Sequence, residues 1–177
     1  MAKLNVAGCG HGNKTEAYAG GTLVHYNAFP KGTPADRARL GKVQKAFDIV
    51  DKLDKRINLA NACNVYFKTL PKGKSFRHFW RDATIFINYD PAPGANIYGD
   101  THNNDKDIAL HRWCTDTKNV WTIAATIVHE LAHIGGAPGQ PSPAAEQALP
   151  QCGFKLQYDP TITGSIESVA RMIERMA

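Results

Sequence analysis

Apolar positions recur along this chain at helical spacing in some stretches and in short continuous runs in others, and the alternation divides it into predicted elements. From Thr33 to about Ala62, the residues Val43, Ala46, Phe47, Val50, Leu53 and Ile57 fall on one helical face. Lys42, Lys45, Asp48, Asp51, Lys52, Asp54 and Lys55 fill the opposite face, as in a long amphipathic helix with a solvated side. Thr33 can cap it and Pro34 fits the first helical position. Three short runs read as strands: Leu23-Val24-His25-Tyr26, Val65-Tyr66-Phe67 and Thr84-Ile85-Phe86-Ile87-Asn88-Tyr89. The run Trp121-Thr122-Ile123-Ala124-Ala125-Thr126-Ile127-Val128 is apolar nearly all round. It continues through Leu131 and Ile134 to Gly135-Gly136, which predicts a buried helix with a left-handed C-terminal cap. After a proline- and glycine-rich loop, Pro143-Ala144-Ala145-Glu146-Gln147-Ala148-Leu149 predicts a short helix. Ile166, Val169, Ile173 and Met176 share one face of a C-terminal packing helix. Residues 1–32 are glycine-rich and otherwise irregular. Both kinds of element together predict an α+β fold, mainly helical with a small sheet.

A chain of 177 residues fits a single domain. Here it is divided into an N-terminal lobe of about residues 1–135 and a small helical C-terminal lobe of about 136–177. A hydrophobic content of 43% suffices for a core, and no apolar run has transmembrane length. The first ten residues show no apolar signal-peptide region. The formal net charge is +5. Its densest patch, Lys68, Lys72, Lys74, Arg77 and Arg81, is interleaved with Phe76, His78, Phe79 and Trp80. No nucleic-acid motif accompanies it, so the aromatics are expected in the core and the cations on a solvated loop. Cys9, Cys63, Cys114 and Cys152 form no C-x-x-C pair. Their even number and wide spacing suit two disulfides, and with them an extracytoplasmic location. Neither Gly8-Cys9-Gly10-His11-Gly12 nor Lys72-Gly73-Lys74-Ser75 is a phosphate loop, and the acidic stretch before Asp107 lacks the glycine and distal glutamate of a calcium loop.

The chemistry is concentrated in His129-Glu130-Leu131-Ala132-His133, an H-E-x-x-H pattern inside the apolar helix. Residues four apart lie on one helical face, so both imidazoles can reach a single zinc ion. Glu130 can serve as general base toward a water beside that ion. A catalytic zinc takes three protein ligands and an open position. Gly136 matches the glycine of the longer H-E-x-x-H-x-x-G-x-x-H pattern, but Gly139 stands where its third ligand belongs. Glu146, on the next predicted helix among small alanines, is the preferred third ligand, with His102, His111 and Asp159 as alternatives.

The stretch 126–133 resembles the active-site helix of zincin metallopeptidases, and the layout over residues 35–155 is most similar to the deuterolysin-like aspzincins. Those enzymes place a helical N-terminal half and a segment with cysteine and tryptophan, here Trp113-Cys114, before the zinc helix. Their third, acidic ligand follows on the next helix. They use an aspartate followed by tyrosine and glycine, whereas Glu146 is followed by Gln147-Ala148-Leu149. The resemblance implies a zinc-dependent metallopeptidase with one Zn2+ per chain, acting on protein or peptide substrates. Tyr98, His102, His111 and Tyr158 are candidates for a transition-state donor. A zinc amidase acting on cell-wall peptide and a non-catalytic zinc-binding module are the alternatives. Substrate preference and oligomeric state are not set by the sequence.

Overall fold

The computed structural model describes residues 1–17, 23–92, 97–101, 106–139 and 142–154. Its elements in chain order are β1 (Lys3–Leu4), β2 (Lys14–Ala17), β3 (Leu23–Tyr26), α1 (Pro34–Arg56), α2 (Ala62–Thr69) and α3 (Phe76–Trp80). They continue with β4 (Phe86–Asp90), β5 (Gly99–Thr101), β6 (Asp107–His111), α4 (Arg112–Thr117), α5 (Val120–Ile134) and α6 (Ala144–Gln151). The fold is α+β. The expected C-terminal helix lies outside the described residues.

β1, β4, β6 and β5 form one sheet in that order. The first three strands are parallel, and β5 is antiparallel at the edge. Ile87, Tyr89, Ile108 and Leu110 belong to the main core with the helices, whereas Ala109 meets Val24 and Tyr26 of the separate β2–β3 pair. Alternation along β4 and β6 therefore splits the side chains between a helical layer and a smaller cover. Beside that apolar trio the cover side also buries polar groups. Asn88 donates to Asp107, Asn5 donates to Asn88, and His11 bonds Asp107 while stacking on Phe86.

α1 starts as its sequence predicts. Thr33 accepts from the Asp36 amide, and the Asp36 carboxylate accepts from the Thr33 amide. It ends earlier than predicted, at Arg56. There Arg77 donates to the carbonyls of Asp54 and Ile57. Arg77 and Arg81 also grip the buried Asp54 carboxylate. Part of the basic patch is thus a clamp on the negative end of α1, and Phe76, Phe79 and Trp80 are buried beneath it on α3 rather than on a loop.

The strand expected at Val65-Tyr66-Phe67 is corrected to helix α2. Asn61 accepts from the Cys63 amide as an N-cap, and Cys63 and Phe67 bury their side chains one turn apart. A three-residue β-branched and aromatic window carries too little preference to outweigh a cap and a core-facing turn. The expectation of two disulfides is corrected to one, Cys63–Cys152, joining residues 89 apart. Cys9 is an exposed thiol in the N-terminal turn and Cys114 a buried one on α4 beside Thr126. Set in such different surroundings, they are not positioned to pair. Burial pushes the Cys114 thiol up to about 12. Among the described residues no helix is long and apolar enough to cross a membrane.

Candidate active site

α5 runs through the middle of the molecule, packed by α1, α3, α6 and β5. Asn119 caps its start by accepting from the Thr122 amide, and Ile123, Ile127, Leu131 and Ile134 are all buried. A helix apolar on nearly every side must be enclosed by other elements, so the polar groups it carries are enclosed too. His129 is 8% exposed and Glu130 is 3% exposed.

The end of α5 orients one of its histidines. The Gly136 amide bonds the His133 carbonyl and the Ala137 amide bonds the Ala132 carbonyl, the paired bonds of a Schellman cap. Gly136 takes φ +95° to make it, as the glycine pair predicts. The cap turns the Ala137 carbonyl back over the helix. His133 Nδ1 donates to that carbonyl at 2.9 Å, which leaves its Nε2 with a lone pair and no proton. This lone pair faces Nε2 of His129 at 3.1 Å, with the rings at 74°. Two nitrogens at tetrahedral positions on one zinc, each ~2.0–2.1 Å from it, would be ~3.3 Å apart. The pair therefore fits the spacing of a zinc chelate. Burial, and then His133, push His129 down to about 3, so its imidazole is a neutral donor at neutral pH.

Glu130 sits beside β5. Burial first, then the Asp100 and Glu146 carboxylates, push its carboxyl up to about 8, against a lowering by the Thr101 hydroxyl. Close approach of β5 depends on Gly99. A Cβ there would lie 2.8 Å from Thr126 Cγ2, 3.1 Å from Glu130 Cγ and 3.2 Å from Glu130 Oε1.

Glu146 occupies the first turn of α6, half-buried. The buried Ala145 and Ala148 allow α6 to pack on α5. The Tyr66 hydroxyl holds the start of α6 by donating to the Ala144 carbonyl at 2.6 Å, and the disulfide holds its end at Cys152. The Glu146 carboxylate is near enough to raise both Glu130 and Tyr66. Among the described residues, no three His, Cys, Asp or Glu side chains form a ready-made metal cluster. The two imidazoles stand together, and Glu146 lies on the neighbouring helix without completing such a cluster.

The other candidates are dispersed. His111 is buried at the end of β6, with Nδ1 3.2 Å from Asp90 Oδ2, and burial lowers its pKa against the Asp90 and Asp100 carboxylates. It shares its parity with Ala109, on the sheet face turned from the helices. Tyr98 is buried with its ring edge-on to Trp113. His102, Tyr158 and Asp159 lie outside the described residues. Sequence reasoning missed Gly99, Asp100, Thr101 and the Ala137 carbonyl. The Gly135-Gly136 pair was the only sequence signal for any of these, since a helix cap there implies a carbonyl folded back toward the last turn.

Compared with known proteins, the chain matches no family model, no curated protein and no solved structure.

Proposed function

We propose that this protein is a zinc-dependent peptidase of the zincin type. His129 and His133 hold the ion, Glu146 reaches in from α6 as third ligand, and Glu130 is the general base. The observation that carries the reading is the converging pair of Nε2 atoms 3.1 Å apart, one oriented by the helix cap, next to a buried carboxyl. A structural site has four protein ligands and no use for such a carboxyl. Bound zinc supplies Lewis-acid polarisation of a carbonyl and a water.

This chain's residues do the rest. Glu130 in its ionised form accepts the proton of the attacking water. It then passes that proton to the leaving amine nitrogen as the C–N bond breaks. Its carboxyl, protonated at neutral pH without a metal, becomes a carboxylate when positive charge is placed beside it. β5 provides the place for a peptide. Among the described residues its outer edge pairs with no strand, and Gly99 and Thr101 bring that edge past Glu130. An extended chain added to such an edge is held by its backbone, which suits a peptide of loose sequence requirement. The single disulfide supports an extracytoplasmic location.

The test is digestion of unfolded casein by the zinc-loaded protein, with cell-wall peptide as a second substrate. Cleavage should stop with a chelator and return with zinc. Glu130→Gln should keep its zinc and lose on the order of 10²–10⁴ in turnover. Full activity in that variant, or no zinc-dependent cleavage of casein, contradicts the proposal. Cleavage of cell-wall peptide alone moves the substrate from protein to cell wall.

A further inference from the structure

α6 is a helix of 8 residues, too short to keep its shape in water without tertiary support. Its start is also weakly capped. Pro143 occupies the N-cap position and makes no side-chain bond to the first turn. The Ser142 hydroxyl accepts from the Ala144 amide only at 3.3 Å. A helix begun in this way frays from its first turn, where the amides lack partners. That turn is the one that carries Glu146.

Tyr66 holds the turn from outside. Its hydroxyl donates to the Ala144 carbonyl at 2.6 Å and lies 3.4 Å from Gln147 Oε1. These two contacts bracket Glu146 in sequence. The Tyr66 ring, on α2, is half-buried against the main core, so the hydroxyl is presented on a packed arm. Cys63, one turn earlier on α2, fixes the far end of α6 through Cys152. Cys152 lies well over one turn beyond Glu146, so the bridge secures the end of the helix and leaves its start to Tyr66. Burial first, and then the Glu146 carboxylate, raise the Tyr66 hydroxyl. The carboxylate therefore stands near the bond that anchors its own turn.

We propose that Tyr66 is the positioning residue for Glu146. Its bond to the Ala144 carbonyl keeps the first turn of α6 wound and so presents the Glu146 carboxylate to an ion held by His129 and His133. The inference rests on the reading of Glu146 as third ligand. Tyr66 acts through the helix and is not itself a ligand. Without the hydroxyl the turn unwinds, the carboxylate swings away, and the ion is left with two imidazoles and water.

Tyr66→Phe tests this, since it removes the hydroxyl and leaves the ring. Competition with a chromophoric chelator should show a zinc affinity about 10–100-fold below the parent's, as for loss of an orienting partner. Cobalt(II) in place of zinc gives the second readout. Its visible absorption is strong in a tetrahedral site and weak in an octahedral one filled by water. The cobalt spectrum of Tyr66→Phe should move from the parent's toward that of Glu146→Ala. Parental affinity and spectrum in Tyr66→Phe, with both altered in Glu146→Ala, overturn the proposal and leave Glu146 as ligand. Any loss of affinity or of melting temperature with a parental spectrum also overturns it, because the bond would then only brace the fold. Parental affinity and spectrum in Glu146→Ala, or no metal uptake by the parent, remove the third-ligand reading instead, and this inference with it.

Discussion

His129 and Glu130 are neighbours in sequence with opposite titration behaviour. Burial holds His129 at about 3, below the ordinary histidine value. Its contribution to stability is therefore present above ~6.5 and lost as the pH falls from there toward 3. Glu130 is raised to about 8, so its contribution is present below ~4.3 and lost as the pH rises toward 8. Inside its window each group changes stability by up to about 1.4 kcal/mol per pH unit. Zinc acts on the second effect, since a cation beside Glu130 favours the carboxylate. At pH 7 zinc binding should therefore release about one proton more from the parent than from Glu130→Gln, and this difference should shrink by pH 9. Calorimetry in buffers of different ionisation enthalpy reads the number directly. Equal release from both proteins would mean that Glu130 does not sense the metal. Glu146 has a different signature. As a ligand it helps to hold the ion, so Glu146→Ala should lose zinc and activity together, whereas Glu130→Gln should lose activity while still holding zinc. Competition with a chromophoric chelator separates the two, and parental affinity in Glu146→Ala would remove Glu146 from the ligand set.

The same site depends on how α5 ends and on how closely β5 approaches it. The Schellman cap at Gly136 sets the Ala137 carbonyl on His133 Nδ1. A side chain at this positive φ is strained, and its Cβ would also meet Pro71 at 3.0 Å. Gly136→Ala should displace the carbonyl, release the tautomer and weaken zinc binding by about 10–100-fold, as loss of an orienting partner does. Unchanged affinity in a folded Gly136→Ala protein would show that the cap is only a helix stop. These elements differ in how far the sequence disclosed them. α1 is long, periodic and capped by Thr33, and α5 is a long apolar run stopped by the glycine pair, so pattern and cap chemistry agree. β6 is buried on both faces along Asp107–His111 and shows no alternation to mark it. β5 is three residues of glycine, aspartate and threonine whose strand character comes from pairing with β6. Both were hidden in a stretch that is polar on its face. α2 was misread because the Asn61 cap and the burial of Cys63 and Phe67 one turn apart decide its conformation.

In the whole molecule, a parallel sheet with one antiparallel edge strand backs a central helix, and α6 packs on that helix while both of its ends are fastened to α2. Closing the long Cys63–Cys152 loop stabilises the fold by about 4–5 kcal/mol on a chain-entropy model. It also ties the helix carrying Glu146 to α2, against which α6 packs. The histidine pair and its base were legible in five consecutive residues because a helix places i and i+4 together whatever surrounds it. The polar cover of the sheet and the acidic neighbours of Glu130 were not, because Asp100 and Thr101 reach the site only through tertiary pairing. Zinc titration tests the whole arrangement most directly. The metal-free protein, competed against a chromophoric chelator, should take up one zinc per chain at neutral pH. His129→Ala and His133→Ala should each lose that uptake while remaining folded. No zinc uptake by the parent protein, or undiminished uptake by either variant, would contradict it.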